Sequence, residues 1–224
     1  MRIKLLVVLL IIKFILIGCS KTENNSYSLD FFEVSKAKIN NLQLSNINGI
    51  ILEKRIDSED RVFLFKDKES GLISSGIYLK DKYYHVDELS FVDTTEEVMG
   101  IEEVQIFGKK AIKIYGILGA NYAQAFYWII GENMDESIIQ VDGHTMELDL
   151  DDDGKKEIIS TLGTIPETSI YIFKGDKIYT SNINDSMGAK SVNLQDKDKK
   201  LFQVYFEPNK PEQYMYYKGS FLEK

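Results

Sequence analysis

From Gly49 onward the apolar residues fall in short runs separated by polar breaks, with the length and composition of β-strands rather than the three-to-four spacing of helices. Ile50-Ile51-Leu52, Val62 to Phe65, Ile73 to Leu79, Tyr83 to Val86, Val104 to Phe107 and Ala111 to Ile117 are each bounded by Gly, Asp or Lys-rich turns. The pattern predicts an all-β domain built as an antiparallel meander. The 176 residues from 49 to 224 are ample for one hydrophobic core, and no proline-rich or glycine-rich break divides them. Ahead of them, Ser28 is placed to cap a short helix in which Leu29, Phe32 and Ile39 share a face. An N-terminal helix is therefore expected there, within a spacer covering residues 19–48.

The strand pattern repeats. Phe126-Tyr127-Trp128-Ile129-Ile130-Gly131 recurs as Ile170-Tyr171-Ile172-Phe173-Lys174-Gly175 and as Tyr214-Met215-Tyr216-Tyr217-Lys218-Gly219, with the three glycines 44 residues apart. Leu118-Gly119 matches Leu162-Gly163 at the same offset, and Leu150 with Lys155-Lys156 matches Leu194 with Lys199-Lys200. A period of this length with several strands per unit is the signature of propeller blades. Residues 49–86 form a degenerate further unit, with Tyr83-Tyr84 in register with Tyr127. Three clear units and a weak one predict an open or four-unit propeller-like arrangement.

One stretch carries chemistry. Asp149-Leu150-Asp151-Asp152-Asp153-Gly154-Lys155-Lys156-Glu157 has carboxylates at positions one, three, five and nine and a glycine at six. Hard divalent cations take several oxygen ligands, and alternate residues of a tight turn aim Asp149, Asp151 and Asp153 at one point, with Glu157 closing the shell. Gly154 lets the chain turn back where a side chain would obstruct it. An EF-hand needs a bidentate Glu at position twelve, which is Ser160 here, and a helix on each side. Thr145 to Leu148 and Ile158 to Leu162 read instead as strands. The loop resembles the FG-GAP/VCBS repeats of integrin-α-type β-propellers, whose blades carry D-x-D-x-D-G-x-x-[DE] before a hydrophobic strand. The resemblance implies bound Ca2+ and runs from Val104 to Lys224, strongest at Asp149 to Leu162. The third unit has Gln195-Asp196-Lys197-Asp198 at the equivalent place, where Lys197 puts a cation in a ligand's position, and the earlier unit has only Phe107-Gly108-Lys109-Lys110. One calcium site is expected, not three.

The chain opens with a basic n-region, Arg2 and Lys4, and an apolar h-region from Leu5 to Ile17 that is broken by Lys13 and is too short to span a bilayer. It ends in Leu16-Ile17-Gly18-Cys19, which resembles a bacterial lipobox. The resemblance implies cleavage after residue 18, diacylglycerol on the Cys19 sulfur, and display of a lipid-anchored protein on the extracytoplasmic face of the cell membrane. Cys19 is the sole cysteine, so no intramolecular disulfide exists. Loss of Arg2, Lys4 and Lys13 takes the formal charge from -8 to -11, which argues against nucleic acid and against charge-driven adhesion to anionic headgroups.

No nucleophile elbow, H-E-x-x-H or zinc spacing is present, and the two histidines are His85, in an aromatic strand, and His144, in a turn. The sequence points to a binding or structural module with a glycan or protein partner in the envelope rather than an enzyme. The alternative is a cell-envelope hydrolase using acidic residues with His144. Strand aromatics such as Phe126, Trp128 and Tyr171 read as core, and Tyr122 as the better candidate for an exposed contact.

Overall fold

The computed structural model describes residues 25–119, 122–131 and 137–224. The segment expected to be a leader, and Cys19, lie outside the described residues. Three short strands, β1 (Ser26–Ser28), β2 (Phe32–Glu33) and β3 (Asn40–Asn41), precede four meanders. The first meander is β4 (Ile47–Arg55), β5 (Arg61–Asp67), β6 (Ile73–Leu79) and β7 (Lys82–Ser90). The second is β8 (Gly100–Ile106), β9 (Lys109–Ile117), β10 (Ala123–Ile129) and β11 (Ile138–Asp142). The third is β12 (His144–Leu148), β13 (Glu157–Leu162), β14 (Glu167–Lys174) and β15 (Lys177–Asn182). The fourth is β16 (Ser191–Asp196), β17 (Leu201–Glu207), β18 (Lys210–Tyr217) and β19 (Ser220–Glu223). Every pairing within and onto these four separate sheets is antiparallel. The chain is all-β, as its apolar pattern requires.

The sheets pack face to face in chain order. Along β10 the side chains alternate: Phe126 and Trp128 enter the core shared with the first sheet, while Ala125, Tyr127 and Ile129 enter the core shared with the third. Along β13 and β14, Ile158, Tyr171 and Phe173 face the second sheet, and Ile159, Ile170 and Ile172 face the fourth. The inner sheets are thus buried on both faces, which is why their strands read as nearly unbroken apolar runs. None of these cores draws residues from both the first and the fourth sheet, and the sheets do not close into a barrel. Gly131, Gly175 and Gly219 all follow the third strand of their meander, at positive φ. In the first meander that turn is Lys80-Asp81, also at positive φ, whereas Tyr83 and Tyr84 belong to the fourth strand, so the Tyr83-to-Tyr127 alignment is out of register.

A buried ion pair ties the second sheet to the third. Lys113 on β9 meets Glu147 on β12, Nζ to Oε1 2.9 Å, and the Tyr127 hydroxyl donates to the same oxygen at 2.5 Å. Burial, with the Glu147 charge beside it, pushes the Tyr127 phenol up. Passage from the second sheet to the third takes a single residue, Gly143, whose N–H donates to Ala123 O at 2.6 Å. Passage from the third to the fourth uses the one α-helix among the described residues, α1 (Ile183–Met187). The Asn182 side chain accepts from Asp185 N and caps α1, Gly188 ends it at φ 67°, and Ile183 and Met187 plug the core between the sheets.

The helix expected between Ser28 and Ile39 does not form. Residues 25–42 instead run extended across the last strand of every sheet: β1 pairs with β19, β2 with β15, Lys36 bridges to Ile139 of β11, and β3 pairs with β7. The last strand of each meander leaves a row of unpaired N–H and C=O groups, and satisfying four such edges outweighs a helix with one weak apolar face. Leu29 is buried between the third and fourth sheets, while Phe32, assigned to the same helical face, is 70% exposed. Residues 25–48, expected as spacer, are thus paired into the sheets.

Candidate metal centre

The acidic loop, residues 149–156, joins β12 to β13, two strands as its flanks predict. Leu148 pairs with Glu157 to close the ladder beneath it. Leu150 is buried and pins the loop into the core between the third and fourth sheets. The loop is shaped by its own carboxylates. Asp149 accepts from Asp153 N (3.2 Å) and Gly154 N (3.0 Å), and Asp153 accepts from Lys155 N (2.7 Å). Asp side chains bonding backbone a few residues on is how such turns hold shape without a β-ladder. Asp152 (φ 62°) and Gly154 (φ 85°) take the left-handed conformation. A Cβ at Gly154 would meet no atom within 4 Å, so the glycine is there for its backbone angle and not, as its position in the loop implies, to avoid obstruction.

Three of the four predicted ligands come together. Asp149, Asp151 and Asp153 each offer an oxygen within 4.8 Å of the others. Asp151 Oδ1 is shielded from solvent and has no hydrogen-bond partner. A buried carboxylate oxygen without a donor is costly, and a cation at the centre of the triad would satisfy it. Glu157 lies beside the triad at the start of β13, 8% exposed, its Oε2 accepting from Leu150 N at 2.8 Å. Burial pushes its carboxyl up to about 7; the Leu150 N–H draws it back down, and Asp151 and Asp153 raise it further. The oxygen chemistry fits a hard divalent ion, with the triad as direct ligands and Glu157 a neighbour whose charge the ion would favour.

This arrangement makes stability depend on pH in a defined direction. In chelator, the Glu157 carboxyl holds its proton up to about 7 in the folded chain but loses it near 4.5 when unfolded. The folded state thus binds more protons between pH 4.5 and 7, and stability falls as pH rises through that window, by up to about 3 kcal/mol. Glu157→Gln should flatten this slope in chemical-denaturation curves recorded in chelator. An unchanged slope in the variant would remove Glu157 as its cause.

Among the described residues the other meanders offer no equivalent acidic cluster. The β8–β9 turn, Phe107-Gly108, docks against the acidic loop, Phe107 N donating to Lys156 O at 2.8 Å. The equivalent turn of the fourth sheet satisfies its acid with its own lysine: Lys199 Nζ lies 2.9 Å from Asp196 Oδ2, and Asp196 Oδ1 accepts from Asp198 N and Lys199 N. Lys199 rather than Lys197 plays the cation there. Lys200, beside it, reaches across to Asp152, while within the acidic loop Lys155 Nζ lies 3.4 Å from Asp153 Oδ2. Asp151 and Asp153 open on a cleft of about 910 Å³ walled by Phe31, Phe107, Phe173 and Tyr216. Sequence reasoning missed this cleft because its walls come from four distant segments.

Other candidates are scattered. His85 packs against Phe65 in β7, and His144 opens β12, roughly 16 Å along that strand from the acidic loop at its other end. Phe126 and Trp128 are core. Tyr122 is 39% exposed, its hydroxyl donating to Asp142. Among the described residues no helix is long and apolar enough to cross a membrane. Compared with known proteins, the chain matches no family, no curated protein and no solved structure.

Proposed function

We propose that this is a lipid-tethered extracytoplasmic binding or structural module, anchored through Cys19, whose β12–β13 loop holds one Ca2+ through Asp149, Asp151 and Asp153 with Glu157 beside them. Its four meanders are read as an open, propeller-like stack that presents the cleft beside the metal to a glycan or protein of the envelope. The observation that carries the metal assignment is the convergence of three carboxylates around the unpartnered Asp151 oxygen. The role of the ion is mechanical: it neutralises crowded carboxylates, fixes the turn between two strands and stiffens the third sheet. His144 and the acidic loop sit at opposite ends of β12, so no observation favours the hydrolase reading.

Extracellular calcium modules bind with dissociation constants of roughly 0.1–1 mM. At about 1 mM free Ca2+ the upper end of that affinity adds about 1.4 kcal/mol by mass action, a rise of about 3–6 °C in melting temperature for a chain of this size. Asp151→Asn should abolish the increment while the chelated proteins melt within a degree or two of each other. Identical wild-type melting in calcium and in chelator would refute the metal assignment. The anchor is tested separately, by mass spectrometry of the N-terminal peptide from the native host, where an unmodified Cys19 would refute it.

A further inference from the structure

The segment Asn25 to Leu42 touches all four sheets in reverse order, fourth to first, and each attachment is slight. β1, β2 and β3 are three, two and two residues long, and between β2 and β3 single bonds from Val34 N to Ile178 O and Ala37 N to Ile138 O hold the chain. Leu29 and Leu42 are its two buried apolar residues, and Tyr27, Phe31, Val34, Ala37 and Ile39 pack against the cores only partly buried. Its attachment nearest the N-terminal side is to β19: Asn25 Nδ2 donates to Glu223 Oε2 at 2.9 Å, and Glu223 N donates to Asn25 O. A pull on the chain ahead of Asn25 therefore reaches the β1–β19 pair at its end and breaks its bonds one at a time. The sheets, each with long ladders, are loaded afterwards. Phe31, four residues past β1's midpoint, also forms part of the wall of the cleft beside the acidic loop.

We propose that residues 25–42 form a tension-sensitive strap: force arriving from the N-terminal tether peels it from the fourth sheet first, uncovers the edge of β19 and withdraws Phe31 from the cleft while the four sheets stay folded. The source of the force rests on the tether reading at Cys19; the weak, sequential attachment rests on the strap's geometry alone. Short strands with exposed backbone bonds and few apolar anchors belong to the low-stability end of a fold.

Optical-tweezer pulling of the full chain from handles at its two ends tests this. The expected trace shows an early extension, in one or more steps below the main rupture force, totalling about 6 nm for the 18 residues released at about 3.5 Å each. Ser28 and Ser220 face each other as a non-hydrogen-bonded pair, the geometry that suits a disulfide. In a Cys19→Ser background, oxidised Ser28→Cys/Ser220→Cys should lose the early extension, and reduction should restore it. A single rupture to full length, or an early extension that persists in the oxidised variant, overturns the proposal. Neither outcome depends on acylation of Cys19, which the peptide mass reports independently.

Discussion

Gly143→Ala is expected to lower stability by about 3–5 kcal/mol, enough to bring the melting temperature down by about 10 °C or to prevent folding at 37 °C. Two effects add. Gly143 sits at φ 98°, a conformation that costs an alanine about 1–2 kcal/mol. A Cβ there would stand 2.7 Å from the carbonyl oxygen of Thr161 and 2.9 Å from its carbon, both backbone atoms of β13 that cannot swing aside. As the sole residue between β11 and β12, Gly143 has no neighbouring loop in which to spread the strain. Gly175→Ala supplies the comparison: φ 68°, nothing within 4 Å, and a cost from backbone conformation alone. Denaturant midpoints for the two variants check the argument. Equal losses would mean that contact with β13 contributes nothing.

Glu147→Gln should cost about 3 kcal/mol. Lys113 is 8% exposed, and its ammonium sits between the rings of Tyr115 and Tyr127, with Thr145 O 3.5 Å away as a further acceptor. Removing the carboxylate strands a buried charge, which is far more costly than losing a surface pair. Lys113→Met combined with Glu147→Leu should recover most of the loss, because apolar replacement of both partners removes the desolvation penalty along with the attraction. The readout is the set of urea midpoints, with Lys113→Met and Glu147→Leu alone completing a double-mutant cycle. A double variant as unstable as Glu147→Gln would show that the pair, and not the stranded charge, carries the energy.

Much of this architecture was legible along the chain. The apolar runs from Ile50 to Ile117 all correspond to strands, and the flanks of the acidic loop read correctly as β because Thr145 to Leu148 and Ile158 to Leu162 are short and bounded by turn residues. The 44-residue spacing located the turn after the third strand in three meanders, each needing a glycine at positive φ. It failed for the first meander, where Lys80-Asp81 makes the same turn without glycine. The strap was illegible for a different reason. Nothing local in Leu29, Phe32 and Ile39 distinguishes a weak amphipathic helix from a strand, and the decision comes from four sheet edges distant in sequence. The helix α1 did announce itself, through Asn182, Asp185 and Gly188, in a capping pattern too short to register beside so many strands. At the acidic loop the sequence pattern anticipates the convergence of Asp149, Asp151 and Asp153. It could not foresee that Glu157 would be committed to Leu150 N, since that bond follows from how deeply Leu150 is drawn into the core.

The pairing of Tyr27 with Phe221 has a consequence for how the molecule is made. Of the described strands β1 is the first and its partner β19 the last, so docking it closes a contact of very long sequence separation. The meanders, whose neighbours are local, assemble early; the N-terminal segment finishes late. Until then four sheet borders stand bare together, and this interval is when chaperoning counts most and self-association between copies is most probable.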